Sequence, residues 1–271
     1  MTGVENGIRV ALGQIAVGPD KDENLRTIAR TTVRAAAAGA RLLVFPESAM
    51  VRTERPDQSL VPFAESMEGP FVDRLSQLAR THRVSIACGI FEVGDGRRVY
   101  NTVPVIGPDG DLLGAYRKIH LYDAFAFRES DTVLPGPGTA LTFELEGTRF
   151  GVMTCYDVRF PELARVLATR GAEAIVLPAA WVAGPLKEDH WDVLVRARAI
   201  ENTVYLLACG QAGPGRCGAS MLVDPMGVAV ARATEIEQLV VGELSCGRLA
   251  EVRKLNPSLR NRMIAVGTPV A

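Results

Sequence analysis

The sequence predicts a layered α/β sandwich, with two mixed sheets face to face and helices covering both outer faces. Three observations carry that expectation. The first five elements alternate strand and amphipathic helix, two antiparallel hairpins then interrupt the alternation, and strand–helix–strand order resumes from residue 149 to residue 210. No repeat of fixed period and no low-complexity linker divides the 271 residues, so a single domain spanning 1–271 is expected.

Ile8 to Val17 reads as a buried strand. Asp20 to Ala38 reads as a helix, with Leu25, Ile28, Ala29, Val33 and Ala36 as its apolar face and Gly39 as its stop. The strand from Arg41 to Phe45 is cut by Pro46, which leaves Glu47 just past its C-terminal end. Strand, helix and strand of this length imply a parallel pair with a right-handed crossover. Gly69 to His82 is a second amphipathic helix and Val84 to Phe91 another apolar strand.

The hairpins follow. Val99 to Ile106 and Leu112 to Lys118 flank a Gly-Pro-Asp-Gly turn, and Ala140 to Leu145 and Arg149 to Thr154 flank Glu146-Gly147-Thr148. The second hairpin's last strand breaks at Thr154-Cys155-Tyr156-Asp157. A helix restarts there with Pro161 in its first turn, packs Phe160, Leu163, Ala164, Val166 and Leu167 on one face, and stops at Gly171. Glu173 to Pro178 is a strand, HWDVLVRARAIENT a helix and VYLLACG a strand. Short strands are expected around Ala219 to Val223, Val228 to Ala231 and Leu239 to Glu243, two of them joined by Asp224-Pro225-Met226-Gly227. A Rossmann fold is the competitor, but GQIAVGPDKD follows the first strand where G-x-G-x-x-G would be required.

Composition narrows the function. Thirty basic against 31 acidic side chains leave a net charge of −1, which points to neither nucleic acid nor an anionic membrane as partner. The opening MTGVENGIRV lacks the basic and apolar regions of a signal peptide, and no uncharged run reaches the roughly 20 residues of a spanning helix. Cys88, Cys155, Cys209, Cys217 and Cys246 are odd in number and scattered, with no C-x-x-C pair, and the three histidines are far apart. The expectation is a cytoplasmic protein with free thiols and no structural zinc.

Three ionisable residues stand where strands end: Glu47, Lys118 and Cys155. Reacting groups in α/β folds collect at such ends. The helix amides beyond Cys155 are expected to favour its thiolate. A carboxylate that takes the thiol proton, an ammonium and a backbone N–H that hold an oxyanion, and a nucleophilic sulfur make a site for acyl transfer. Each residue also has a plainer reading: a helix N-terminal acid for Glu47, a solvated edge-strand lysine for Lys118, and an inert buried thiol for Cys155. No G-x-S-x-G occurs. His120 reads as structural, and His190 at a helix start as capping or substrate-orienting.

FPES, YRKIHLYD and TCYDVRFPELAR, in that order, resemble the Glu, Lys and Cys blocks of the carbon–nitrogen hydrolase (nitrilase) superfamily, and the resemblance extends over nearly the whole chain. It implies catalytic roles for Glu47, Lys118 and Cys155. The family's additional active-site glutamate, which orients the lysine and substrate, then falls on Glu129 in FRESDTVLPG. KIHLYDAFAFRES, PAAWVAGPLKEDHW and RARAIENTVYLLACG resemble the Nit-type amidase branch, most of all bacterial deaminated glutathione amidases. Tyr156 stands directly after Cys155 where nitrilases typically carry Trp, which argues for an amide substrate.

The resemblance implies an α-β-β-α sandwich that dimerises through its helices, with the tail Leu255 to Ala271 crossing to the partner subunit. It implies thioester chemistry with the Tyr156 N–H in the oxyanion site, and no metal or organic cofactor. A carboxylate-bearing substrate would need a fixed cation, for which Arg128, Arg159 and Lys187 are candidates against a competing fate in surface ion pairs. Arg159 has Glu162 as a further partner within its helix. Trp181 and His190 are candidate pocket residues, with core packing the alternative for Trp181. An omega-amidase acting on 2-oxoglutaramate and an N-carbamoyl amidohydrolase are alternative enzymes. A family member that only binds acyl ligands or a protein, and a redox sensor, are the non-hydrolytic alternatives; no resolving cysteine lies near Cys155 in sequence.

Overall fold

The computed structural model describes residues 7–53 and 59–265. Period-2 patterning divides each central strand between two cores. In β1 (Ile8–Gln14), Val10 and Leu12 face the space between the sheets, whereas Ala11 joins the apolar layer under the helices. In β2 (Leu42–Val44), Leu42 and Val44 face inward and Leu43 outward. That outward layer is covered by α1 (Lys21–Ala37) through Ile28 and Ala35, and by α2 (Pro70–His82) through Phe71, Leu75 and Ala79. Asp20 caps α1, accepting from the Asp22 and Glu23 N–H groups, and Pro70 opens α2 where a missing N–H costs nothing.

The first sheet continues with β3 (Ser85–Ala87), β4 (Ile90–Val93), β5 (Val99–Ile106) and β6 (Leu112–Arg117). β1, β2 and β3 run parallel, as the crossover rule requires. β3 and β4 pair one edge of β5 in a single register, Ala87 opposite Val105 and Ile90 opposite Thr102, and β6 takes its other edge. A small ribbon, β7 (Asp123–Ala124) with β8 (Phe127–Arg128), follows, and β9 (Val133–Leu134) returns to β5. The second sheet has the order β10 (Thr142–Leu145), β11 (Thr148–Val152), β12 (Ala174–Ala179), β13 (Tyr205–Gly210), β14 (Met221–Val223), β15 (Ala229–Arg232), and β11, β12 and β13 are parallel. Its outer face carries α3 (Pro161–Thr169) and α4 (Lys187–Asn202), with Leu163, Leu167, Trp191 and Val195 buried. β16 (Gln238–Leu244) then crosses back to pair β1 antiparallel, from Ile8 opposite Leu244 to Gln14 opposite Gln238.

The expected four layers are present, and most strand and helix bounds agree to within a few residues. The β7–β8 ribbon and β9 were not expected, and two longer elements also differ. The strand expected over Val84 to Phe91 is broken at Cys88-Gly89, because Gly89 bonds the turn after β2. Its N–H donates to Pro46 O at 3.1 Å and its carbonyl accepts from Met50 N at 3.2 Å. α5 (Cys246–Leu255) was not foreseen. Only Leu249 and Val252 of its ten residues are buried, too few to print a helical period on the sequence. Beyond it the chain is irregular, with Met263 and Ile264 96% and 85% exposed. The rest of the expected interface tail, residues 266–271, lies outside the described residues. No helix among the described residues is long and apolar enough to cross a membrane.

Gly89 offers a direct test of how the two halves of the site loop are held. A Cβ there would sit 2.6 Å from Glu47 Cα and 2.5 Å from Ser48 N, backbone that has nowhere to move. Gly89→Ala is expected to lower unfolding stability by about 1–3 kcal/mol in urea titrations, in line with overpacking of a tight core. A midpoint equal to wild type would show that the turn carrying Glu47 yields freely.

Candidate active site

Glu47, Lys118 and Cys155 each follow a strand: Glu47 after β2, Lys118 after β6 and Cys155 after β11. β2 and β6 belong to the first sheet and β11 to the second, so the three meet where the two sheets' ends converge. Lys118 is 2% exposed. Its Nζ donates to Glu47 Oε1 at 2.9 Å and to Glu129 Oε2 at 2.7 Å. Asn101 on β5 bridges the same two carboxylates, donating from Nδ2 to Glu47 Oε1 at 2.8 Å and to Glu129 Oε1 at 3.2 Å. The Tyr122 N–H donates to Glu129 Oε2 at 2.6 Å, and the Ala180 N–H, just past β12, donates to Glu47 Oε2 at 2.8 Å. Gln211 Nε2 holds the Glu47 main chain, donating to its carbonyl at 2.7 Å.

The Cys155 thiol lies beside the Glu47 carboxylate, close enough for each to shift the other's ionisation. Its backbone lies in the left-handed region, φ +46°, at the start of a 3₁₀ turn over Cys155–Arg159. Such a residue costs about 1–3 kcal/mol and persists only where its surroundings over-determine it. Asp157 does so here. Fully buried, it accepts from the Thr154 N–H at 2.9 Å and the Tyr116 hydroxyl at 2.7 Å through Oδ2, and from the His120 N–H at 3.1 Å through Oδ1, which also lies 2.7 Å from His120 Nδ1. Tyr116 and His120 flank Lys118 in sequence. Asp157 therefore ties the cysteine turn to the segment that carries the ammonium.

Burial alone would push all three groups toward neutrality, and the charges decide the outcome. Burial pushes the Cys155 thiol well up, and the Glu47 carboxylate adds to it more than Lys118 takes away. Burial opposes the charge on Lys118, yet Glu129, Glu47 and Cys155 together hold its pKa well above the ordinary value. Burial likewise opposes ionisation of Glu47, but Lys118, the thiol and the Ala180 N–H keep it lowered. The resting site is a protonated thiol beside an ionised carboxylate. This runs against the expectation of a thiolate, because burial and the Glu47 carboxylate raise the thiol more than Lys118 lowers it.

The remaining expected residues separate clearly. Arg128 is a surface residue, its side chain 72% exposed and 3.5 Å from Asp131. Among the described residues neither Lys187 nor Arg159 is in an ion pair, contrary to the surface pairing expected for them, and Arg159 does not use Glu162. Lys187 is buried at the start of α4, where its Nζ donates to the Tyr122 hydroxyl at 2.9 Å and lies 3.9 Å from the centre of the Phe125 ring. The Arg159 guanidinium lies 3.3 Å from His190 Nδ1 and 5.0 Å from the Trp181 ring, with the Tyr156 ring at 5.9 Å, and its Nε is buried without a partner. Trp181 is buried, donating from Nε1 to Lys187 O at 2.7 Å. His120 takes its structural reading, stacked 3.8 Å from Phe160.

Asn101, Tyr122, Asp157, Ala180 and Gln211 were not anticipated. A buried strand carrying a lone amide, as in VYNTVPVI, was the available signal for Asn101, since an amide there demands a partner. Among the described residues no cluster of three His, Cys, Asp or Glu is placed to hold a metal ion.

This geometry has relatives. The carbon-nitrogen hydrolase family description matches residues 9–254. The deaminated glutathione amidase of Escherichia coli O157:H7 is 40% identical over 256 residues, covering 94% of this chain and 97% of that protein. An omega-amidase of Xenopus tropicalis is 35% identical over 272 residues, covering 94% of each. Among solved structures, Saccharomyces cerevisiae Nit3, a member of branch 10 of the nitrilase superfamily, superposes with a TM-score of 0.84 at 32% identity, over 95% of this chain and 97% of that one. The chain belongs to the carbon-nitrogen hydrolase family.

Proposed function

We propose that this chain hydrolyses a linear, carboxylate-bearing amide through a thioester on Cys155, with deaminated glutathione as substrate and 2-oxoglutarate and cysteinylglycine as products. The observation that carries the reading is the shared hydrogen-bonded cluster of Lys118, Glu47 and Glu129 with the Cys155 thiol beside Glu47. A binding module needs no thiol poised on a base, so the acyl-binding alternative has less support. The similarity to the E. coli amidase favours deaminated glutathione, and that to the omega-amidase makes 2-oxoglutaramate the second substrate to try.

In the proposed cycle Glu47 takes the thiol proton as sulfur adds to the amide carbonyl. Lys118 and the Tyr156 N–H hold the oxyanion. Collapse breaks the C–N bond, and the leaving amine takes the proton from Glu47. Glu47 then takes a proton from water, hydroxide adds to the thioester, and collapse releases the acid while the proton returns to sulfur. Glu129 does not exchange protons in this scheme; it fixes Lys118. No cofactor is assigned a step. The acyl half's carboxylate goes to Arg159 and Lys187, cations seated on aromatic faces with no carboxylate among the described residues on them, and Trp181 and His190 position them.

We read the protein further as a cytoplasmic homodimer of one domain. Exposed Val193 and Ile200 on α4, with Met226, Val228 and Val230 in and before β15, support an interface on that face. Exposed Met263 and Ile264 support a tail that reaches the partner.

Intact-mass analysis of wild type quenched in acid during turnover is expected to show Cys155 carrying the acyl half, whereas Glu47→Gln, which can neither take the thiol proton nor protonate the amine, is expected to lose turnover. Full turnover by that variant would remove Glu47 from the mechanism. Separate assays of cysteinylglycine, ammonia and CO₂ from deaminated glutathione, 2-oxoglutaramate and N-carbamoyl amino acids are expected to give the highest kcat/KM for the first. Preferred ammonia or CO₂ release would reassign the enzyme. Arg159→Met should raise KM for the favoured substrate on the order of 10- to 100-fold, the size of a lost charge-assisted contact.

The pH profile follows from the charges. Glu47 must be ionised to take the proton and its pKa is held below 4.5, so kcat/KM should fall only as pH drops through a value under 4.5. On the alkaline side Cys155 and Lys118 are both raised, so no decline is expected at the ordinary thiol value of about 8.5. An acid limb near pH 6 would contradict an ionised Glu47.

A further inference from the structure

We infer that Arg216 receives a carboxylate on the amine half of the substrate, so that the site is built for an amide with an anion at each end. The inference rests on the amidase reading above and specifies the leaving group. Arg216 lies in the segment between β13 and β14, and its Nε donates to Gln211 Oε1 at 3.3 Å. The same Gln211 donates to the Glu47 carbonyl at 2.7 Å, so two hydrogen bonds link Arg216 to Glu47. A bridge from Arg216 to Val182, and the Cys217 N–H on Trp181 O at 3.1 Å, seat it beside the chain that leaves Ala180, the residue whose N–H holds the Glu47 carboxylate.

Its surroundings leave the charge unanswered. Among the described residues no carboxylate pairs with Arg216. One of its charged neighbours is another cation, Arg52, whose guanidinium donates to Pro214 O at 2.9 Å. Burial and Arg52 both oppose the charge on Arg216, while Glu47 and Cys155 are close enough to favour it. A cleft of about 530 Å³ opens at Arg216, between Ala16, Ala212 and Gly213. Glu235 and Glu237 also line it, and the Glu237 carboxylate accepts from the Ala16 N–H at 2.9 Å. Neither Glu235 nor Glu237 bonds Arg216, so a carboxylate arriving on its guanidinium would supply the direct pair that these acids leave unmade.

Chemistry assigns the direction. The leaving amine collects its proton from Glu47, so the amine half must depart past Glu47, toward the residues that Gln211 connects to it. The acyl half's carboxylate is already provided for by Arg159 and Lys187, which pack on Trp181 and the rings of Tyr156 and Phe125. Ammonia as leaving group has no atom to reach Arg216, whereas a peptide ending in glycine carries a carboxylate outward from the scissile nitrogen. Arg216 thus separates the two substrate classes.

The test compares kcat/KM on deaminated glutathione and on 2-oxoglutaramate for wild type, Arg216→Gln and Arg216→Lys. Arg216→Gln is expected to lose about 30-fold on the longer substrate, mainly in KM, and at least tenfold more than on the shorter one, in the range of a charged contact truncated on one side. Arg216→Lys should recover most of the loss. Amidating the substrate's terminal carboxylate should cost wild type a similar factor and make it indifferent to Arg216→Gln. Equal losses on both substrates, or none on the longer, would overturn the inference while leaving the amidase reading intact. Wild type that cleaves neither substrate would end both.

Discussion

The structure depends on one buried ammonium held between two carboxylates. Lys118 is nearly inaccessible, and both of its acidic partners are buried with it. Desolvating such a set is expensive, and removing one partner from a buried pair typically costs about 3–5 kcal/mol because the other charge is left uncompensated. The cluster is tolerable only when its remaining lone pairs are used. Asn101 bridges the two carboxylates, the Tyr122 N–H serves Glu129 and the Ala180 N–H serves Glu47. The excess negative charge then falls on the neighbouring thiol, which stays protonated. On the proposed mechanism, reactivity and stability come from the same charge count: the carboxylate that helps to bury Lys118 is the one that would remove the thiol proton.

Holding that count together needs both sheets. Glu47 and Lys118 come from the first and Cys155 and Ala180 from the second, so any sliding of one sheet on the other would open the cluster. Asp157 resists this at the cysteine turn, since its two oxygens bond groups on both sides of Lys118 as well as its own turn. Gln211, just past β13 of the second sheet, resists it at the glutamate turn by holding the Glu47 carbonyl, while Gly89 fixes that turn within its own sheet by lying directly on the Glu47 main chain. The left-handed backbone at Cys155 and at Ser48 marks both turns as conformations imposed by these contacts rather than chosen locally.

These facts explain which parts were legible in the sequence. Pro46 ends its strand in a way that any reader can see, so the position of Glu47 was available from local rules, as were the layers and both hairpins. The convergence of Glu47, Lys118 and Cys155 came instead from their common placement at strand ends and from the family resemblance, because residues separated by 71 positions in one case meet only through sheet order. Asn101 and Gln211 were missed for the same reason: a buried amide demands a partner, but local sequence does not say which distant group supplies it. The thiolate expectation failed because sequence shows the turn after Cys155 and conceals the carboxylate opposite it. Lys187 and Arg159 were weighed toward surface ion pairs because long cations usually end there, and only the packing of Tyr122, Phe125 and Trp181 around them shows otherwise.

That packing carries the last step. A cation kept for a substrate's carboxylate cannot be neutralised by an acid of the protein, or the ligand must compete for it. Nor can it stand in a dry pocket unsupported. Aromatic faces resolve the conflict, since each contributes about 0.5–2 kcal/mol to a nearby cation while leaving its donors available. Lys187 over Phe125, and Arg159 between Trp181 and Tyr156 with an unpartnered buried Nε, have that form. The two acids closest to the chemistry are meanwhile both committed to Lys118, so they do not quench these cations. On the proposed reading, the site sorts charge by distance from the sulfur: negative where protons must move, positive where the substrate must be held.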